Sequence, residues 1–359
     1  MTTSTTGLEN IAARLDKLER QNRWLKRAGA ALLLFAGATL LIGAQAQPNS
    51  KKTVIPGWVI VEKNPNEADN TKTIQDAIDS LPDSGGVVFF PAGTYQHKGL
   101  KGRANVHLKG VHSPSVILDY TPATGDGITF SHDPDHFAIS ELTLTSSGKS
   151  KGWALRADQG TQRYIRLHRV NIVGFLNGVF IANSINVSFD QCHIGGTYPK
   201  DPQGIGIQVG DGTAAGGNAV TIQDCYFNSL DKGVVTYAQA ALILRPILEL
   251  CHVGVETHGT TTLVQPWVDG TATRSHVSIQ PNTVGGGRSG TGALLVGYGS
   301  SNVKTEYGTD TERQRTIIIP ERHDLDPGDD PQDRHGIKLG SVIIDRDGVV
   351  HLKDMKKTP

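Results

Sequence analysis

The chain has 359 residues with 35 acidic and 35 basic side chains, so its formal net charge is zero. No global field draws it to nucleic acid or another polyanion, and charge argues against that partner class. Apolar content of 37%, aromatic content of 6% and 42 glycines suit one elongated domain with a thin core and many turns.

Residues 1–27 carry a heptad pattern: Leu8, Ile11, Leu15, Leu18, Asn22 and Leu25 take successive a and d positions, with Asn22 placed to set register. Fewer than three heptads leave a coiled coil and an ordinary amphipathic helix both open; a coiled coil would join copies of the chain through residues 8–25. Residues 28–46 follow as a transmembrane anchor or signal segment. Ala28 to Ala44 is free of charge and is preceded by Arg14, Lys17, Arg20, Arg23, Lys26 and Arg27. Its length is the shortest that spans a bilayer. The preceding cations put the N-terminus in the cytoplasm and the body outside it. Ala44-Gln45-Ala46 also reads as a small-x-small cleavage site, so the body is either anchored through residues 28–44 or secreted or periplasmic.

Residues 47–62 read as a linker and a first strand. Then Thr73-Ile-Gln-Asp-Ala-Ile-Asp-Ser-Leu-Pro-Asp-Ser-Gly-Gly-Val-Val-Phe-Phe-Pro-Ala-Gly-Thr-Tyr95 predicts an amphipathic helix, a Gly-Gly turn and a strand. Ile74, Ala77, Ile78 and Leu81 share one face of that helix and are placed to plug the open end of a stacked core.

Two motifs then repeat across residues 63–282. Gly127, Gly152, Gly178, Gly204, Gly233 and Gly254 each open a short strand-like run, at intervals of 25, 26, 26, 29 and 21 residues. Between them recurs apolar-x-apolar-x-x-apolar-x-apolar, as in Ile165-Arg-Leu167-His-Arg-Val170-Asn-Ile172, Val187-Ser-Phe189-Asp-Gln-Cys192-His-Ile194 and Val220-Thr-Ile222-Gln-Asp-Cys225-Tyr-Phe227. Phe137 to Leu144 fits the same pattern, and Leu242, Leu244 and Ile247 keep most of it. The central polar pair shifts a period-two alternation by one residue, so a bend there keeps both apolar sets inside. Three strands per unit and one turn per unit predict an all-β fold, a right-handed single-stranded parallel β-helix with an N-terminal capping helix. Cys192 and Cys225 hold the same inward position in neighbouring coils, at a spacing that suits a stack of thiols and would also permit a bridge.

The cap and the coils behind it resemble the pectate-lyase superfamily, the version shared by extracellular polysaccharide-acting enzymes and phage tailspikes, over roughly residues 54–280. The loop before the helix, Asn64-Pro-Asn-Glu-Ala-Asp-Asn70, departs from the Gly-Asp-rich loop usual in that family. The resemblance implies the fold and a saccharide groove on the strands after the glycines. No catalytic residue carries over. The Asn-Thr-Asp, Gly-Asp-Asp and Arg-Ile-Lys of polygalacturonase-like hydrolases are missing, and Asp133-Pro134-Asp135-His136 only partly echoes the Asp-Pro-His-Asp of alginate epimerases. The resemblance to lyases leaves calcium open as a cofactor, although no motif places its ligands.

Geometry supplies candidates instead. In the strand after each glycine, alternation turns the first and third residues inward and the second and fourth outward. One outward column is Ser131, Arg156, Ala182, Gln208, Tyr237, His258; beside it run Thr129, Ala154, Phe180, Gly206, Val235, Glu256. Glu256 and His258 are candidates for a general acid/base pair and Arg156 for neutralising a uronate carboxylate, the three catalytic candidates. Phe180 and Tyr237 are candidates for stacking on sugar rings and Gln208 for bonding hydroxyls. The plainer account is that a solvated face must carry polar residues anyway. A two-carboxylate hydrolase needs a second acid near Glu256, and these columns hold none, which favours a lyase acting on an acidic polysaccharide, with a non-catalytic glycan-binding or structural protein as the alternative. No metal site is assigned.

Beyond residue 282 the repeat fades. Residues 283–359 read as glycine-rich loops and a C-terminal hairpin, Ser341 to Leu352 turning at Asp347-Gly348, that covers the far end of the solenoid.

Overall fold

Successive coils turn their corner on one polar residue with positive φ, the second of the polar pair in the coils at 141, 169, 191 and 224, and preceded by Leu244 and Val264 in the next two. Glu141, Arg169, Gln191, Asp224, Arg245 and Gln265 have φ between 45° and 55°. A left-handed non-glycine residue costs about 1–2 kcal/mol. Hydrogen bonds between coils offset that cost: the Gln191, Asp224 and Arg245 amides donate to the carbonyls of Gln223, Leu244 and Val264 at 3.0, 2.9 and 2.7 Å. The side chains form a ladder of their own. Arg169 bridges Glu141 at 3.1 Å and Gln191 at 2.9 Å, and Arg245 grips both oxygens of Asp224 at 2.6 and 2.7 Å.

The corner strands and those after the glycines stack into parallel sheets. A computed structural model describes residues 57–62, 68–197, 202–212 and 217–269. Beyond these it describes the strands Val277–Ile279, Gly292–Ser301, Tyr307–Thr309, Arg315–Pro320, Ile337–Leu339, Val342–Ile344 and Val350–Leu352. Nine strands, from Leu100–Gly102 to Tyr307–Thr309, form one parallel sheet; the strands flanking the corners form a seventeen-stranded sheet. The architecture is the expected all-β parallel β-helix, with the right-handed crossovers that parallel connections adopt. The heptad segment and the apolar run lie outside the described residues, and no helix among the described residues is long and apolar enough to cross a membrane.

The cap forms as expected. Helix α1, Thr71–Asp79, buries Ile74, Ala77 and Ile78, and Leu81 follows them into the core. Asp69 accepts the Thr71 amide at 3.0 Å and its hydroxyl at 2.5 Å; these bonds pull its carboxyl down to about 2. Cys192, Cys225 and Cys251 are free and buried, and the Cys192–Cys225 stack pushes the Cys225 thiol well up.

Two expectations need correction. In the coil at 240–248 the inward residues are Ala241, Ile243 and Leu248, while Leu242 and Ile247 are 37% and 44% exposed. The pairing Val220↔Ala241 and Ile222↔Ile243 fixes that frame, one residue away from the pattern Leu242, Leu244, Ile247. Second, the repeat fades near 282 but parallel pairing does not: Gly292–Ser301 pairs with Thr260–Val264, and Arg315–Pro320 pairs with Gly292–Ser301. Val342–Ile344 and Val350–Leu352 pair antiparallel as the expected hairpin, with Ile337–Leu339 added as a third strand.

Two outcomes test this packing. A Cβ at Gly178 would stand 2.3 Å from the Gly206 carbonyl oxygen. Gly178→Val should therefore lower stability by ~1–3 kcal/mol, read as an earlier urea midpoint; an unchanged midpoint would show slack in that row. Burial pushes the imidazoles of His97 and His107 from 6.5 down to about 4. The unfolded chain therefore binds protons below pH 6.5 that the native chain refuses. Stability is full above 6.5, falls from 6.5 to about 4, and levels off below. For His97, which is 2% exposed, the loss is about 3 kcal/mol. His97→Gln should flatten that part of the urea-midpoint profile between pH 7.5 and 4.5.

Candidate functional site

The outer face of the nine-stranded sheet carries the candidate residues, and pairing fixes its rows. Thr129↔Arg156, Arg156↔Phe180, Phe180↔Gln208, Gln208↔Val235 and Val235↔Glu256 are direct partners. These six therefore form one outward row. Two residues further along each strand stand Ser131, Asp158, Ala182, Gly210, Tyr237 and His258. The amides of the last four donate to Ala157, Ile181, Val209 and Thr236 of the preceding coils at 2.7–2.9 Å.

The expected face is thus real, but its rows are regrouped. Gly127, Gly178, Gly206, Gly233 and Gly254 share one level, with Ala154 in the remaining coil; Gly152 and Gly204 lie two residues earlier. An even offset preserves inside and outside, so Arg156, Gln208, Tyr237 and His258 stay outward while Arg156 and Gln208 move next to Phe180. At the shared level the backbone turns two successive residues inward: Cβ atoms at Gly206 and Gly233 would meet the core side chains Phe227, Leu230 and Leu248, and the next residues, Ile207 and Val234, are buried too. A third row therefore faces out just before it, including Asp126, Trp153, Asn177 and Lys232. Strict alternation places Trp153 inside, which the structure overturns. The Asp126 carboxylate accepts the Trp153 amide at 2.7 Å, and Asn177 accepts the Ile205 amide at 3.0 Å.

Two clusters stand on this face. In the first, Arg156 bonds Asp158 at 2.8 Å, approaches Asp126 at 4.0 Å, and lies 5.5 Å from the Phe180 ring centroid. Burial raises the Asp158 carboxyl, but the hydrogen bonds from Arg156 and Gln159 outweigh it and hold the group below its usual range. Trp153 leans on Phe180 at 5.3 Å between centroids. Phe180 is only 9% exposed, so it supports Trp153 and Arg156 rather than meeting solvent itself.

In the second cluster, His258 Nε2 meets Glu256 Oε1 at 3.0 Å and Lys232 Nζ meets Glu256 Oε2 at 2.7 Å. Tyr237 stacks on His258, centroids 4.0 Å apart and planes 13° from parallel. Burial favours a neutral Glu256, but the bonds and charges of His258 and Lys232 prevail and keep its carboxyl low. Burial first, then the charges of Glu256 and Asp211, raises the Tyr237 phenol. Asp211, just past the Gln208 strand, is thus a second carboxylate beside Tyr237 that the columns did not include.

Glu256, His258 and Tyr237 come together; Arg156 does not join them. Four rungs separate Arg156 from Glu256, about 19 Å. Lys232 is the cation beside the pair, and strict alternation hid it because it stands in the third row. Gln208, midway, donates to the Gly210 carbonyl at 3.0 Å. No group of three metal-ligating side chains occurs among the described residues. Asp135 is held by Arg163 at 3.3 Å and His136 stacks on Tyr164 at 4.6 Å, so both are engaged in the wall.

Lys232→Met removes one of the two groups that keep Glu256 charged. The Glu256 pKa should rise, followed by NMR titration of the carboxyl, and stability at pH 7 should fall by ~1–3 kcal/mol. A Glu256 titration that does not move would show that Lys232 is not its partner in solution.

No curated protein sequence matches the chain. Among solved structures, PfbA, a surface adhesin of Streptococcus pneumoniae, matches with a TM-score of 0.50 and 16% identity, covering 70% of this chain and 75% of that one. The catalytic domain of a GH87 α-1,3-glucanase in complex with nigerose matches at 0.48 and 14%, covering 77% and 58%. Pectin methylesterase PemA from Erwinia chrysanthemi matches at 0.39 and 14%, covering 74% and 94%. A family model described as "Rhamnogalacturonase A/epimerase, pectate lyase-like" matches residues 63–266, more than half of the chain, and the chain belongs to that family.

Proposed function

We propose that this protein engages an acidic polysaccharide along the outer face of its nine-stranded sheet and cleaves it as a lyase at the Glu256–His258–Tyr237–Lys232 cluster. The observation that carries the reading is the arrangement of that face. A cation beside two rings, Arg156 with Trp153 and Phe180, stands at one end; a hydrogen-bonded carboxylate–imidazole pair with an adjacent ammonium stands at the other. Between them runs a straight wall about 19 Å long, which suits a chain of several sugars.

A uronate lyase removes the proton beside the carboxylate, forms the ring double bond, and expels the glycosidic oxygen, which takes up a proton. His258 is placed to accept the first proton, Tyr237 to supply the second, and Lys232 to neutralise the carboxylate. Arg156 then serves as a distant subsite. Binding without turnover is the second reading. It is favoured by one observation: Arg156, Lys232 and Glu256 are each already ion-paired within the protein. In either case the apolar run 28–44 carries the body out of the cytoplasm, as an anchor or a cleaved signal, a reading supported by sequence alone.

The body without residues 1–46 should release unsaturated ends from acidic polysaccharides, followed by absorbance with and without calcium. His258→Ala should cut the rate by about 10²–10⁴-fold, and Arg156→Ala should mainly weaken binding. Glycan retention with no turnover would establish the binder, and neither retention nor turnover would reject both.

A further inference from the structure

The outer positions of the corner sheet change character part-way along the solenoid. Arg166, Ser188 and Thr221 are partners in successive rungs, and the next partner in that row is Leu242. The neighbouring row passes from Gln223 to Leu244 and Val264, and the row beyond the corner from Tyr226 to Ile247 and Trp267. Leu242, Ile247 and Trp267 are 37%, 44% and 43% exposed, half of the large exposed apolar side chains among the described residues. In the following rungs Thr262, then Leu294 and Ile317, take the register position of Leu242, so one hydroxyl interrupts that row before apolar residues return.

Strands facing water alternate apolar inside with polar outside; adjacent leucine, isoleucine and tryptophan on the wet side mark a surface meant to be covered. The patch is mainly apolar and, unlike the nine-stranded face, carries no charged side chain among Leu242, Leu244, Ile247, Val264 and Trp267 with which to hold a uronate. It repeats in register from coil to coil on both sides of the corner, and two copies of one such face bury each other through a twofold axis without a specialised partner. A net charge of zero sets no repulsion between copies. The heptad over residues 8–25, which the saccharide reading leaves unused, points the same way. Pairing there would hold two bodies at an effective concentration on the order of millimolar, so a weak patch suffices.

We propose that the patch centred on Leu242, Ile247 and Trp267 docks against the same patch of a second copy of this chain, setting two β-helices side by side. This stands apart from the saccharide reading, because the patch lies on the corner sheet and shares no residue with either cluster.

The test uses the full chain, whose native cysteines are buried. Leu242→Cys should be joined between copies by a short bis-maleimide at least tenfold more efficiently than Arg166→Cys, which stands in the same row three rungs away. A double variant, Leu242→Glu with Ile247→Glu, leaves the inward residues intact. It should keep its melting temperature and weaken self-association at least tenfold in sedimentation equilibrium. Equal cross-linking at the two positions, unaltered association of the charged variant, or a native chain that is monomeric, whether or not it binds vesicles, would overturn the proposal.

Discussion

The structure depends on each coil coming back in phase, so that a residue's partners above and below face the same way. Two local devices enforce this. The left-handed residue at the corner resets the alternation once per coil, and its amide is bonded to the next coil at the place where slippage would begin. The glycine level does the rest by close approach. Cβ atoms at Gly178, Gly206 and Gly233 would stand 2.3, 2.4 and 2.6 Å from carbonyl oxygens of the glycines one rung on. Glycine recurs at this level because backbone passes over backbone, not because the conformation is left-handed. Ala154 stands at the same level in the remaining coil. With both devices in step, residues as far apart in sequence as Arg156 and Glu256 share one row.

Much of this was legible because a solenoid writes its three-dimensional repeat into local sequence. The apolar doublets either side of the corner gave the frame, and the helix beginning near Thr73 announced itself by one apolar face. What escaped notice came from residues that look alike while serving different physics. Gly204 has a φ of +77° and turns the chain, whereas Gly206, two residues later, is small for packing. Composition cannot separate them, and counting from the wrong one shifts a row by two. At residues 242–247 the leucines and isoleucine imitate the inward pattern while facing out, so the better hydrophobic match is one residue out of frame. Beyond residue 282 the hydrophobic spacing loosens, yet parallel pairing needs only backbone amides and carbonyls and continues.

The candidate site was less legible than the fold for a related reason. Alternation locates a face, but the two successive inward residues at the glycine level add a third outward row, and that row holds the groups that change the chemistry. Lys232, and not the candidate Arg156, is the cation beside Glu256, and Trp153 covers Phe180. Asp211 entered by another route, from the end of a strand against the Tyr237 ring.

The two clusters differ in a way that bears on their roles. The Arg156–Asp158 pair is 40% and 31% exposed at its two side chains, and ion pairs so wet contribute little, so an incoming carboxylate exchanges with Asp158 at small cost. The Lys232–Glu256 pair is 24% and 13% exposed, with His258 bonded to the same carboxylate and Tyr237 stacked behind it. Breaking that arrangement leaves a charge poorly hydrated, so it resists exchange and keeps its geometry. An exchangeable cation suits holding a polymer in its ground state, and a fixed, mutually bonded set suits groups that must be in place before a proton moves. Under the proposed lyase function the Arg156 cluster would be the binding end and the Glu256 cluster the reacting end, and the parallel stacking of the coils holds the two clusters a fixed four rungs apart.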